Sequence, residues 1–341
     1  MIRTGLIGYG LGGMAFHAPL IHATPELELT AIVTSRGDQV CSTYPEVQII
    51  AEARALIADP GIALVAISTP NESHFALAEA ALRAGKHVVI DKPFVVSAAQ
   101  GEALIALAAE RGLVLSAFHN RRWDSDFLTV QKLLASGVLG EVMLYEARWD
   151  RFRPEVTSAW RDLPEPGSGV LADLGSHLID QMLVLFGMPE SLSADIAGQR
   201  EGARADDYFE INFHFGARRV ILSSSRLMAV PRPRFALHGR RGGFVKHGLD
   251  PQEASLRAGQ GPDTPGFGFE DAAQHGLLTL ADGTSRTIAS ERGDYRGFYV
   301  GMAQAILTGA APPVDAADAV AGLRLIELAR QSASEGRRLR V

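Results

Sequence analysis

The amino-acid sequence predicts an α/β fold of two domains, a doubly wound parallel sheet followed by a domain with a largely antiparallel sheet. Three observations support this prediction. The chain has 341 residues, which is enough for more than one hydrophobic core. Short apolar segments alternate with helical segments in the first third, as in right-handed βαβ units. Beyond that third, consecutive segments of alternating polarity are separated by hairpin-like turns.

The first third is predicted to contain short strands connected by helices. The strand at 63–68 is continuously apolar, as expected for a parallel strand buried on both faces. The helix at 71–84 ends at Gly85, because glycine commonly terminates helices. The predicted strands cover residues 2–8, 27–34, 47–50, 63–68, 87–90 and 113–117. A helical stretch is predicted after the glycines that follow the first strand and ends near residue 22, and further helices are predicted at residues 51–58, 71–84 and 97–111.

The boundary between the two predicted domains lies near Asn120. The first domain covers residues 1–120, and the second covers residues 121–341. Residues 248–268 are rich in glycine, proline and polar side chains, which predicts a long loop. The predicted helices of the second domain cover residues 125–135, 173–186, 299–307 and 316–334. Its predicted strands include residues 141–151, 207–215, 219–225 and 234–238.

Composition and charge exclude several classes of protein. Hydrophobic residues make up 47% of the chain and charged residues 21%, as in ordinary globular proteins. The formal net charge of -6 does not favour a nucleic-acid partner. The single cysteine, Cys41, rules out an intrachain disulfide and fits a reducing cytoplasm. Since the sequence shows neither a signal peptide nor an apolar run of roughly 18 residues, we expect a cytoplasmic protein without a membrane partner.

A glycine-rich turn follows the first predicted strand and precedes a helix. Gly8, Gly10 and Gly13 match the pattern G-x-G-x-x-G, and Leu11 and Gly12 lie between them. Glycines allow a tight turn and close approach of the backbone to a pyrophosphate, which the N–H groups at the helix start can bind. The alternative is a glycine-rich connection without a ligand. The strand–turn–helix context favours a dinucleotide-binding Rossmann domain.

The residues after the second strand bear on the choice of cofactor. An acidic residue there would accept a hydrogen bond from the ribose 2′-hydroxyl and favour NAD. This chain has Ser35 and Arg36 instead, and a hydroxyl beside a guanidinium suits a 2′-phosphate. Arg36 could also be a surface residue without a ligand. The charge argument predicts NADP, with NAD as the less favoured cofactor.

Two further loops follow strands of the predicted parallel sheet, at the edge where such sheets bind ligands. In the first loop, Asn71 could either contact a cofactor or cap the next helix. In the second, Lys92 could stabilise negative charge on a reacting oxygen, although a single lysine is more often a surface ion-pair partner. The cofactor-binding residues predicted in these loops are Thr69, Pro70, Asn71, His74, Asp91, Lys92 and Pro93.

The helix predicted at 173–186 carries a polar stripe within an apolar sequence. Asp173, His177 and Asp180 have the spacing i, i+4, i+7, so they share one face. A histidine between carboxylates can serve as a general acid or base, because its pKa lies near neutrality. The other interpretation is a buried polar network that positions the helix. Metal binding is less favoured, because further clustered ligands are lacking.

Together these motifs resemble the Gfo/Idh/MocA oxidoreductase family over essentially the whole chain. The resemblance rests on G-Y-G-L-G-G from Gly8, A-G-K-H-V from Ala84, D-K-P from Asp91 and D-L-G-S-H-L-I-D from Asp173. Longer runs resemble the NADP-dependent scyllo-inositol dehydrogenases of that family. These runs are F-H-A-P-L from Phe16, T-S-R from Thr34, H-N-R-R-W-D from His119, R-P-E-V from Arg153 and L-F-G-M-P from Leu185.

The resemblance implies a C-terminal α/β domain with a large, open, mostly antiparallel sheet that builds a homodimer or homotetramer. It implies Lys92, Asp173 and His177 as catalytic residues, with Lys92 before a cis proline. The acid of the D-K-P motif is Asp91 where glutamate is usual, which weakens the case for its contact with the cofactor.

The implied reaction is hydride transfer between a nicotinamide cofactor and a hydroxyl of a cyclic polyol or sugar, with scyllo-inositol as the leading substrate. Another sugar or ketose reductase of the family and a non-catalytic sensor of dinucleotide or sugar are the alternatives. A sensor need not keep the lysine, aspartate and histidine that this chain has. The predicted substrate-binding residues are Asn120, Arg122, Arg153, Trp160, Asp173, His177 and Tyr295.

Overall fold

A computed structural model describes residues 1–157, 162–165 and 167–341. Strands predicted from the sequence recur in it with shifts of one to three residues at their ends. The strands of the described residues are β1 (Ile2–Ile7), β2 (Leu27–Val33), β3 (Gln48–Ile50), β4 (Leu64–Ile67), β5 (His87–Ile90), β6 (Leu115–Ala117), β7 (Val142–Arg148), β8 (Ser191–Ala197), β9 (Tyr208–Phe215), β10 (Arg218–Ser225), β11 (Phe235–Gly239), β12 (Gly242–Lys246), β13 (Gly276–Leu280), β14 (Ser285–Ile288) and β15 (Leu339–Arg340).

Helices connect these strands, and two helical segments contain a turn of π-helix. The π-helical turns are Gly13–His17 and Leu171–Gly175. Within the described residues, no helix combines the length and the apolar composition needed to cross a bilayer. The α-helices are α1 (Ala18–His22), α2 (Gly37–Thr43), α3 (Ala53–Ala58), α4 (His74–Arg83), α5 (Ala98–Arg111), α6 (Ser125–Ser136), α7 (Ser176–Phe186), α8 (Gln252–Arg257), α9 (Arg296–Thr308) and α10 (Ala316–Glu335).

The chain divides into two compact units, each assembled from three segments. Unit 1 comprises Met1–Trp123, Pro251–Gly268 and Asp294–Val320. Unit 2 comprises Asp124–Asp250, Phe269–Gly293 and Ala321–Val341.

One sequence prediction was wrong, because the predicted loop at 248–268 contains helix α8. The helix formers Gln252, Glu253, Ala254 and Leu256 outweigh the surrounding glycines and prolines over this short stretch.

Unit 1 contains a six-stranded parallel sheet with the order β3-β2-β1-β4-β5-β6, which confirms the predicted Rossmann fold. Strand β4 is buried along its whole length, as its apolar sequence predicts. The registers pair Ile7 with both Val33 and Ile67, and Ile67 with Ile90. Strands β1, β2, β4 and β5 therefore end at one edge of the sheet, and the four loops that follow them begin there.

Unit 2 contains a nine-stranded sheet with the order β14-β13-β12-β11-β7-β10-β9-β8-β15. Only β7 and β10 pair in parallel, and the remaining neighbours are antiparallel, which confirms the predicted open, mostly antiparallel sheet. Burial alternates along β9, so one face of the sheet faces the core. The core packs this face against apolar residues of α6, of the helical segment 171–186 and of the C-terminal part of α10.

Candidate functional site

The glycine turn of unit 1 leaves no room for side chains at two positions and open space at a third. Gly8 has φ +100°, and a Cβ there would lie 2.2 Å from the carbonyl oxygen of Ser68. A Cβ at Gly13 would lie 2.1 Å from the carbonyl oxygen of Gly8, whereas a Cβ at Gly10 would meet nothing within 4 Å. The turn thus packs closely against the sheet on one side and is open at Gly10, beside the exposed Leu11. This geometry fits the approach of a pyrophosphate.

The loop after β2 directs a guanidinium toward the same turn. Ser35 and Arg36 are both exposed, and the Arg36 backbone N–H donates to Thr34 Oγ1 at 2.9 Å. Arg36 Nη1 lies 3.5 Å from the carbonyl oxygen of the buried Tyr9, inside the glycine turn. The loop therefore offers a hydroxyl and a positive charge next to the predicted pyrophosphate site, with no acidic residue at the end of β2.

A buried histidine connects the loops after β4 and β5. His74 Nε2 lies 2.9 Å from the carbonyl oxygen of Thr69, and its Nδ1 lies 3.0 Å from that of Pro93. Pro70 precedes a short 3-10 turn that begins at Asn71. The residues predicted in these two loops thus lie together at one edge of the sheet, and His74 holds the loops rather than facing solvent.

The D-K-P segment follows β5, and its acidic side chain accepts hydrogen bonds from several donors. Ser68 Oγ donates to Asp91 Oδ2 at 2.9 Å, and the Lys92 backbone N–H donates to Oδ1 at 2.8 Å. Burial would raise the pKa of Asp91, but the hydrogen bond from His17 and nearby positive charges outweigh it and hold the pKa at about 2. A Cβ at Gly12 would lie 2.6 Å from Oδ2, so this carboxylate packs against the glycine turn. The Lys92–Pro93 peptide bond is cis, as the resemblance implied.

Three predicted substrate-binding residues lie in unit 1, and each has contacts there. Asn120 is buried at the start of a 3-10 turn. Arg122 forms an ion pair with Asp318 at 2.9 Å. Tyr295 is fully buried, and its hydroxyl accepts a hydrogen bond from Arg121. These contacts give Arg122 and Tyr295 partners within unit 1 that do not require a substrate.

The polar residues predicted on one helix face lie in unit 2 on two kinds of helix. Asp173 belongs to the π-helical turn Leu171–Gly175, whereas His177 and Asp180 belong to α7. All three are at most 4% exposed. The His177 ring packs on Trp149, with the ring centroids 5.9 Å apart and a tilt of 32°. The π-helical turn shifts Asp173 relative to the spacing expected of a regular α-helix.

Asp173 has a charged partner that the sequence analysis missed. Arg226 Nη2 lies 3.6 Å from Asp173 Oδ2, and both side chains are buried. Burial lowers the pKa of Arg226, and the negative charge of Asp173 opposes that shift. The Arg153 backbone N–H donates to the carbonyl oxygen of Arg226 at 2.7 Å, while the Arg153 side chain is exposed. Nothing in the sequence connects Arg226 to Asp173, which lies 53 positions earlier. Trp160, another predicted substrate-binding residue, lies outside the described residues.

A cavity of about 490 Å³ in unit 2 lies at the beginning of this helical segment rather than at His177. Ser168, Asp206 and Arg330 are among its lining residues. Asp206 Oδ2 accepts a hydrogen bond from the Leu171 backbone N–H, so this carboxylate caps the helical segment. Among the described residues, no group of three or more histidine, cysteine, aspartate or glutamate side chains is arranged to hold a metal ion.

Comparisons with known proteins agree with this architecture. Residues 2–119 match the NAD-binding Rossmann-fold domain of the Gfo/Idh/MocA oxidoreductases, and residues 131–341 match their C-terminal α/β domain. The fold and the comparisons define the class as an NAD(P)-dependent oxidoreductase. The chain belongs to the Gfo/Idh/MocA oxidoreductase family, as the resemblance predicted.

Relatives and solved structures match nearly the full chain. The uncharacterized oxidoreductase YdgJ of Escherichia coli is 47% identical over 335 residues, which are 97% of this chain and 96% of YdgJ. The scyllo-inositol 2-dehydrogenase (NADP(+)) IolW of Bacillus subtilis is 40% identical over 339 residues, 98% of this chain and 95% of IolW. The structure of the oxidoreductase YvaA from Bacillus subtilis superimposes with a TM-score of 0.97 at 39% identity and covers 100% of this chain and 98% of YvaA.

Proposed function

We propose that this oxidoreductase uses NADP to interconvert a hydroxyl of a cyclic polyol or sugar and the corresponding ketone, with scyllo-inositol as the leading substrate. The observation that carries the proposal is that Asp173, on the same helical segment as His177, forms a buried ion pair with Arg226. Burial of two charges is costly, so we interpret this pair as serving the geometry of the site. The name of the Bacillus subtilis relative supports the choice of substrate and cofactor.

The chain's own residues supply the acid–base chemistry and the charge stabilisation in this proposal. In the direction of oxidation, His177 accepts the proton of the reacting hydroxyl through an imidazole nitrogen. Asp173 orients His177 and stabilises the imidazolium, and Arg226 is the buried ion-pair partner of Asp173. Lys92 lowers the cost of negative charge on the hydroxyl oxygen as the carbonyl forms. A bound nicotinamide dinucleotide supplies the hydride acceptor.

The preference for NADP rests on the loop after β2. The residues present fit a 2′-phosphorylated ribose, because the Arg36 guanidinium and the Ser35 hydroxyl are exposed next to the glycine turn. The glycine turn itself fits the pyrophosphate, because the position of Gly10 is open. The other cofactor-binding residues of the proposal are Gly8, Leu11, Gly12, Gly13, Thr69, Pro70, Asn71, His74, Asp91, Lys92 and Pro93.

Fewer observations support the residues proposed to bind substrate hydroxyls than support those proposed to bind the cofactor. The exposed Arg153 side chain, next to the main chain of Arg226, is available to a ligand. Asn120 and Trp160 remain candidates, whereas Arg122 and Tyr295 are better placed to support neighbouring residues.

We also propose that the protein forms a homodimer or homotetramer. Light scattering after size-exclusion chromatography would test this proposal, and a monomer would contradict it.

One assay tests the proposed reaction. Purified protein is incubated with NADP or NAD and with a panel of inositol isomers, aldoses and ketoses, and the absorbance of the reduced nicotinamide is followed. Turnover of scyllo-inositol with NADP supports the proposal. Turnover of a different polyol or sugar would replace the substrate, and a preference for NAD would replace the cofactor. Binding of dinucleotide without turnover of any compound would favour a sensor.

A further inference from the structure

We propose that His17 is a positioning residue, which holds the Asp91 carboxylate and through it the main chain of Lys92. This inference rests on the proposed function, because it assigns a purpose to the placement of Lys92. His17 belongs to the F-H-A-P-L run, to which the proposed reaction assigns no role. It ends the π-helical turn that follows the glycine turn, and it is fully buried.

His17 connects two polar groups that are distant in sequence. Its Nδ1 lies 2.6 Å from the hydroxyl oxygen of Tyr299, and its Nε2 lies 3.5 Å from Asp91 Oδ2. The ring also packs on Phe118, with centroids 4.3 Å apart. Tyr299 is fully buried, so the three residues form a chain from the interior of unit 1 to the D-K-P segment.

The partners select one neutral tautomer of His17. A proton on Nδ1 would leave the lone pair of Nε2 facing the Asp91 carboxylate, which is repulsive. A proton on Nε2 instead places an N–H group 3.5 Å from the Asp91 carboxylate, an attractive contact, while Nδ1 accepts from the Tyr299 hydroxyl. Burial and the negative charge of Asp91 raise the pKa of Tyr299 well above its ordinary value, so its hydroxyl keeps the proton that it donates.

The position of Asp91 determines the position of the Lys92 main chain. Oδ1 accepts from the Lys92 backbone N–H, while Oδ2 faces His17 and Ser68. The carboxylate is thus directed toward His17 and Ser68. His17 lies behind Asp91, so it acts through Asp91 rather than on a reacting atom.

Nitrogen NMR of the protein without cofactor tests the tautomer directly. In protein labelled with ¹⁵N-histidine, we expect the neutral form of His17 to be protonated at Nε2 and unprotonated at Nδ1, with its signals assigned from His17→Gln. In Asp91→Asn, we expect the two tautomers to mix, because the amide no longer requires a proton on Nε2. A neutral ring protonated only at Nδ1 in the unmodified protein would overturn the inference.

Kinetics of three single variants and one double variant test the consequence for Lys92. We expect His17→Leu to lower kcat about tenfold or more, because the polar contact between Nε2 and the Asp91 carboxylate is lost. His17→Gln should retain part of the activity, because its amide can still donate to Asp91. The dissociation constant for NADPH should change less than about threefold in both, since His17 is fully buried. Tyr299→Phe combined with His17→Gln should cost less than the product of the single effects, since both act through one chain.

His22→Gln is the matched control, because the same substitution is made at an exposed position of the same helical segment. Wild-type kcat in folded His17→Gln and Tyr299→Phe would overturn the inference. Full turnover in Lys92→Ala would instead remove the proposed role of Lys92 and leave the NMR result intact. The failures of the two proposals are therefore distinguishable.

Discussion

The candidate sites of the two units are held in place by different means. In unit 1, loops at one edge of the parallel sheet are held largely by hydrogen bonds to main-chain atoms, as His74 and Asp91 show. In unit 2, side chains within a buried helical segment are held by other buried side chains, as Arg226 and Trp149 show. The difference implies that substitutions in unit 1 should mainly affect ligand binding and orientation, whereas those in unit 2 should also affect folding.

The largest expected effect is the loss of turnover when either of two candidate catalytic residues is substituted. Lys92→Ala and His177→Ala should each lower kcat by about 10²- to 10⁴-fold, because each removes a group that acts in the transition state. Both variants should still bind NADPH, which fluorescence titration measures. Lys132→Ala removes an exposed lysine and is the control. Near-normal turnover in either variant would remove that residue from the mechanism.

Arg226→Leu should show most clearly that a substitution in unit 2 lowers the free energy of unfolding. The substitution leaves the buried Asp173 carboxylate without its charged partner, which costs about 3 kcal/mol in the free energy of unfolding. Urea denaturation at neutral pH measures this loss, and Arg226→Lys should restore part of it.

Arg240→Gln is the matched control, because it removes an arginine from an exposed ion pair with Glu141. The free energy of unfolding should change by less than about 1 kcal/mol in this variant. Equal losses in Arg226→Leu and Arg240→Gln would contradict the structural role assigned to the buried pair.

The sequence predicted unit 1 more completely than unit 2, and the reason is the range of the interactions. The glycine turn and the D-K-P segment are contiguous motifs, and the topology of a parallel sheet brings them to one edge. Arg226 could not be predicted, because its pairing with Asp173 depends on the antiparallel sheet. His17 was visible within a run of the resemblance, but its purpose depends on Tyr299, which lies 282 positions later.

The acid stability of the protein should reveal the interactions of Asp91. Its pKa of about 2 lies below the ordinary value of 3.8, so its contacts stabilise the folded state above pH 4. That contribution, about 2 kcal/mol, should fade as the pH falls from 4 toward 2. Asp91→Asn should flatten the pH dependence of the free energy of unfolding in this range. An unchanged slope would show that Asp91 is not stabilised by its neighbours.

The smallest expected effect concerns the choice of cofactor at the exposed loop after β2. Arg36→Ala should weaken NADP binding about tenfold and leave NAD binding nearly unchanged, because a charge-assisted contact to the 2′-phosphate is lost. Calorimetric titration of both cofactors measures the two dissociation constants. Arg54→Ala is the control, since the Arg54 side chain is 86% exposed and lies in helix α3, outside the loop after β2. The free energy of unfolding should stay constant in Arg36→Ala, because this side chain is exposed and serves binding rather than folding. Equal weakening of NADP and NAD would place the role of Arg36 at the glycine turn, near the carbonyl oxygen of Tyr9, instead of at the 2′-phosphate.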